Sequence, residues 1–272
     1  MFPRLALVTF LLAFAAACSG GEQAAAPAPP VDPGAALADV PERLREAGTL
    51  SFEAAFVETK RATPDEHATY MSSSGALDLA ARQGRTVVDL TWLEEELERL
   101  LPPGQPTNPR SEALFGAPVE IRWDERVAYV RAGDSWQRAT RKQLRTGTLG
   151  TTAEELDNLI RLFPLAENAR VEGSADVDGE PTNHVVFSVP ARTAGARHVP
   201  AELYAAFEQE LHGPELRLEA WLDGAGLPRR LAYSLSKDAV ESDGKVVIPA
   251  KSIRVTYDLS GFGDDVDTAP PD

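Results

Sequence analysis

Along most of this chain the apolar residues recur with a period of two. In LSFEAAFVETK, residues 50–60, Leu50, Phe52, Ala54 and Phe56 alternate with Ser51, Glu53, Ala55 and Val57, the pattern of a strand with one buried face. Similar runs cover 68–81, 84–91, 119–123, 126–132, 167–177 and 181–190, and further runs fill most of 215–260. Short breaks separate neighbours at Asp124-Glu125, Gly133-Asp134, Asp178-Gly179, Gly224-Ala225-Gly226 and Asp243-Gly244. Breaks of this length between alternating runs predict antiparallel hairpins.

Four stretches follow the helical period instead. The first is 40–47, with Asp39 as N-cap, Pro41 in the first turn and Gly48 just past the end. A second, acidic helix is predicted over 92–101, opened by the Thr91/Glu94 capping box and stopped by Pro102-Pro103-Gly104. The third opens at Thr152/Glu155, places Leu156, Leu159, Ile160 and Phe163 on one stripe, and is braked by Pro164. The fourth, 200–211, aligns Leu203, Phe207 and Leu211 and ends at Gly213.

Strands arrive in runs rather than alternating one by one with helices, which argues against a parallel βαβ sheet. The predicted fold class is α+β: a large curved antiparallel β-sheet, a half-barrel, with helices packed on its concave face. The strand positions assigned to that inner face are Phe52, Phe56, Leu77, Leu79, Leu218, Leu222, Leu231, Tyr233, Ile253 and Val255, faced by Leu159, Phe163 and Phe207 from helices. Periodicity fits two interiors equally well. These side chains either interdigitate as an ordinary core or line an apolar cavity.

The N-terminus follows neither period. After Met-Phe-Pro-Arg, residues 5–17 are apolar except for Thr9, end in Ala15-Ala16-Ala17, and meet Cys18, the single cysteine of the chain. That order is a basic n-region, an h-region and a small-residue cleavage site. The h-region is shorter than the roughly 20 residues that span a bilayer. Ala-Ala-Ala-Cys resembles a permissive lipobox of bacterial lipoproteins, which implies cleavage before Cys18 and a diacylglycerol anchor on its thiol. An ordinary secretory signal with an incidental cysteine is the other reading. The expected organisation is a lipoprotein signal peptide over 1–17, the lipidated Cys18 with a flexible Pro/Ala/Gly linker over 18–35, and a single domain over 36–272 with a short acidic tail. Extended at about 3.1 Å per residue, the linker would hold the domain roughly 50 Å from the bilayer.

Charge and composition narrow the function. At 43 % hydrophobic and 25 % charged residues the chain is globular, and one cysteine excludes an intrachain disulfide. A formal charge of -15 argues against nucleic acid and against electrostatic docking on anionic lipid.

No nucleophile elbow or P-loop is present, so an enzyme is not expected, and neither is a cofactor. His67, His184, His198 and His212 lack metal spacing, and no metal is expected. Asp176, Asp178 and Glu180 suggest calcium, but they flank a turn and read better as a solvated face. The basic run RATRKQLR, residues 138–145, reads as a solvated loop ahead of a contact with lipid phosphates.

Three groups of residues resemble the LppX/LprAFG lipoproteins of actinobacteria, which are similar in fold to the LolA/LolB lipoprotein carriers. They are Val171, Gly173, Asp178, Gly179 and His184; the stretch from Trp221 to Arg230; and the closing run from Tyr257 to Gly263. The resemblance implies a LolA/LppX-like half-barrel whose apolar cavity holds an acyl chain, lipid or glycolipid, with the residues named above as its lining. It also implies an extracytoplasmic protein, lipid-anchored to the outer face of the cell membrane, that carries or presents this cargo. The segments 92–117 and around 200 depart from the family pattern, so the cargo does not carry over. The competing expectation is a tethered envelope scaffold or sensor module with a packed core and a protein partner.

Overall fold

The computed structural model describes residues 32–60, 67–89, 118–124, 126–139, 152–190, 215–237, 240–242, 245–248 and 251–271. Eleven antiparallel strands form one curved, unclosed sheet. In chain order they are β1 (Thr49–Lys60), β2 (His67–Asp78), β3 (Gln83–Asp89), β4 (Val119–Trp123), β5 (Ala128–Ala132), β6 (Ser135–Ala139), β7 (Glu167–Val177), β8 (Glu180–Pro190), β9 (Glu215–Leu222), β10 (Pro228–Lys237) and, after a small hairpin, β13 (Lys251–Ser260). The hairpin, β11 (Val240–Ser242) and β12 (Lys245–Ile248), forms a separate two-stranded sheet among the described residues.

The spatial order is β6-β5-β4-β3-β2-β1-β13-β10-β9-β8-β7. Two meanders, β1–β6 and β7–β10, thus run to opposite edges, and the last strand is inserted between them. Tight turns set the local register. Asp178 (φ 54°) and Gly179 (φ 84°) both take the left-handed conformation that a two-residue hairpin requires, and the Asp176 carboxylate accepts from Gly179 N at 2.7 Å. The β4–β5 connection is longer than its two-residue prediction. The Asp124 carboxylate accepts from Arg126 N and Val127 N, both at 2.7 Å, and β5 starts only at Ala128.

The two described helices follow the same physics. Helix α1 spans Pro33–Ala47 and buries Leu37, Val40 and Leu44. It begins before the predicted residue 40 and takes in residues 33–35 of the expected linker. The cause is Asp32, whose carboxylate caps Gly34 N and Ala35 N, followed by Pro33, which is pre-shaped for a first turn. Pro41 therefore lies inside the helix and removes one backbone bond, a cost the buried stripe offsets.

Helix α2 spans Ala153–Ile160 with Thr152 as its cap, and Pro164 diverts the chain into a 3-10 turn, Phe163–Leu165. α1 packs on that turn and on β7, while α2 packs on β2 and β3. No described helix is long and apolar enough to cross a membrane. The helices predicted over 92–101 and 200–211, the leader, Cys18 and Phe207 lie outside the described residues.

The short acidic tail expected at the C-terminus is a strap. Gly263 N donates to Thr49 O at 3.0 Å and the Thr49 hydroxyl donates to Asp264 O at 2.6 Å, which turns the chain back after β13. Arg122 on β4 then holds both carboxylate oxygens of Asp267, at 2.9 and 2.7 Å, and the carbonyl of Ala269 at 2.7 Å. Thr268 between them is buried.

Candidate functional site

The strand register sorts side chains into rows across the inner face. One row reads Phe187, Leu218, Tyr233, Val255, Phe56 and Met71 over β8, β9, β10, β13, β1 and β2. The next reads Val185, Ala220, Leu231, Tyr257, Ala54, Ser73 and Val88. A third runs Leu259, Phe52, Gly75, Thr86, Ile121 and Val130. The second row is the shallow one, because Ala220, Ala54 and Ser73 project little beyond the backbone.

Most residues predicted for the inner face lie on it. Phe52, Phe56, Leu77, Leu218, Leu222, Leu231, Tyr233, Ile253 and Val255 all belong to one contiguous apolar cluster, joined by Leu159 and Phe163 from the helical segment. Leu79 departs from the prediction. It follows the end of β2, in the turn, and is half-buried against the cluster's rim. The strand residues of this set are at most 6 % exposed, so the face is closed over in the state described.

One carboxylic acid sits inside this apolar surface. Glu155, in the first turn of α2, is buried, and the Tyr233 hydroxyl donates to it at 2.6 Å. Burial lifts its pKa to about 7, with the charge of Glu154 adding to the rise and the Tyr233 bond opposing it. Tyr233 and Tyr257 are raised well above the ordinary tyrosine range, burial first and the nearby Glu155 second. Sequence reasoning read Glu155 as a capping residue, and Thr152 does accept from its backbone N–H at 3.2 Å. Its inward direction was signalled by spacing: Glu155, Leu159 and Phe163 fall at i, i+4 and i+8.

The opposite face is polar and carries His184, Trp221, Arg230 and Asp258 from the stretches behind the family resemblance. His184 stacks on Trp221 with centroids 4.2 Å apart and also contacts Glu219 at 3.0 Å. Arg230 lies over the same indole and pairs with Asp258 at 2.5 Å. The Asp223 carboxylate accepts from Ala225 N and Leu227 N, at 2.9 and 3.0 Å, and from Arg229 at 2.7 Å. These side chains serve turns and cross-strand pairs. Asp176, Asp178 and Glu180 form the β7–β8 turn, and among the described residues no group of acids, histidines or cysteines is arranged to hold a metal.

No family model matches the chain, and no curated protein matches it. Among solved structures the chain is similar to lipoprotein LppX of Mycobacterium tuberculosis, at 15 % identity and a TM-score of 0.46, over 88 % of this chain and 100 % of that one. It is similar to LprF of Mycobacterium bovis at 15 % identity and 0.46, over 90 % and 99 %. A LolA superfamily protein of Nitrosomonas europaea aligns at 9 % identity and 0.33, over 88 % and 96 %.

Proposed function

We propose that this chain is an envelope lipoprotein, anchored through Cys18, that binds an acyl chain, lipid or glycolipid against the inner face of its sheet and carries or presents it outside the cytoplasmic membrane. The observation that carries the reading is the one-sided sheet. Apolar rows run across β8, β9, β10, β13, β1 and β2, with the shallow row at Ala220, Ala54 and Ser73 flanked by larger side chains. Shape and burial are sufficient chemistry for such cargo, since each CH2 taken from water is worth about 0.8 kcal/mol. The face is covered in the present state, so loading requires its cover to shift. That same burial favours the second reading, a tethered scaffold with a packed core.

Native mass spectrometry of the purified full chain separates the two. A co-purifying lipid, displaced by a fluorescent fatty acid, is the expected result. A bare mass with no uptake of the fluorescent probe overturns the carrier reading. Leu218→Trp and Ile253→Trp should each abolish uptake, and a urea midpoint for each variant distinguishes a blocked slot from an unfolded protein.

A further inference from the structure

The outer face of the wing formed by β3 to β6 carries a cluster of arginines on this acidic chain. Arg85, Arg122, Arg131 and Arg138 lie on it in neighbouring register positions, together with Tyr129 and Trp136. The buried carboxylate of Glu120 sits beneath and pairs with Arg85 at 2.7 Å, with Arg122 at 2.9 Å and with Arg131. The guanidinium groups of Arg122 and Arg131 lie 5.6 and 5.0 Å from the centre of the Trp136 ring. Arg85 and Arg131 keep 38 % and 43 % of their side-chain surface exposed.

Beside this cluster, between the strap and the sheet, lies a groove of about 330 Å³. The hydroxyl residues Ser51, Ser74 and Ser260 line it, with Glu53, Arg85 and Asp267. Asp267 thus has two positions at once: it borders the groove, and it fills the guanidinium fork of Arg122.

We propose that this wing is a headgroup site, in which Arg85, Arg122 and Arg131 take the phosphate of an anionic phospholipid at the bilayer surface and Asp267 occupies that place as an internal carboxylate in the closed state. The net charge of -15 opposes approach to an anionic bilayer, so docking must bring this basic face forward. The arrangement favours lipid over a protein partner on two counts. Trp136 among arginines is the residue pairing of a membrane interface. The groove admits a polar headgroup but is too small for the acyl chains as well. Within it, the serines suit hydroxyl groups and the Glu53 carboxylate repels a bare phosphate, so a glycerol-type headgroup fits better than a free anion.

The test is titration calorimetry of the full chain with dihexanoyl phosphatidylglycerol below its micelle threshold. Dihexanoyl phosphatidylcholine, glycerol 3-phosphate and a DDVDTAPPD peptide serve as comparators. The glycerol lipid should bind tightest; Asp267→Asn should strengthen it and Arg131→Gln should weaken it, about fivefold each. Asp267 is 68 % exposed on its side chain, so its variant keeps the fold, which near-ultraviolet circular dichroism verifies. Equal binding of the glycerol and choline lipids overturns the proposal and assigns that binding to the inner face. So does unchanged affinity in both variants, or glycerol phosphate or the peptide matching the lipid.

Discussion

Tyr233 on β10 donates its hydroxyl to Glu155 at the start of α2 across 2.6 Å, and this bond fastens the helix to the middle of the sheet. The acid it holds is buried and shares its surroundings with Tyr257, so its ionisation is opposed by desolvation before any other effect.

Stability should therefore fall as pH rises. In the folded state Glu155 titrates at about 7, against 4.5 for the ordinary group. Below 4.5 both states are protonated and the contribution is complete; between 4.5 and 7 the unfolded chain ionises first; above 7 the contribution is gone. The loss amounts to about 3 kcal/mol across that window. Urea midpoints at pH 5 and pH 9 measure it, and Glu155→Gln, which keeps an acceptor for Tyr233, should remove most of the difference. If the variant loses as much as the parent, ionisation of this acid is not the cause.

Two glycines let large rings lie flat across the inner face, and they should respond differently to the same methyl group. A Cβ at Gly75 would stand 2.1 Å from the carbonyl oxygen of Arg85 and 2.6 Å from the Phe52 ring. One at Gly84 would stand 2.5 Å from the Trp123 indole nitrogen, with no backbone atom among its nearest neighbours. Both alanine variants should lose about 2–3 kcal/mol by overpacking. Trp123→Leu should restore part of the loss at Gly84, whereas Phe52→Leu should restore little at Gly75, where the obstacle is backbone. Double-mutant cycles in urea read the two couplings, and equal couplings would contradict this geometry.

The inner face was legible because period two fixes which side chains share a surface once one face is buried. Phe52, Leu77, Leu231 and Val255 needed no more than that. The pairing of β13 with both β1 and β10 was not legible, since it is a non-local choice that no turn between them dictates. The same holds for the strap. DDVDTAPP has no apolar period, and its order comes from Arg122, far away in sequence. Period two puts Glu120 on the same face as Arg122 in VEIRW, but its burial depends on Arg85 and Arg131 from adjacent strands. A filled and a hollow interior have one and the same pattern, so sequence alone left that choice open.

The β9–β10 connection offers the last prediction, because one carboxylate performs two tasks there. Asp223 accepts from Ala225 N and Leu227 N, which closes the turn, and it pairs with Arg229 at 2.7 Å. Its side chain is 6 % exposed and that of Arg229 is 26 % exposed. Asp223→Ala removes both tasks and leaves two backbone donors without an acceptor, at a cost of about 3 kcal/mol. Arg229→Gln spares the turn and removes the ion pair together with the guanidinium's contact over the Phe262 ring, which partial exposure weakens to about 1 kcal/mol in all. The loosened turn should also free Arg43 of α1, whose guanidinium donates to Ala225 O at 2.7 Å, so hydrogen exchange in α1 should quicken in the first variant alone. Equal losses of stability in the two variants would assign the role to the ion pair instead.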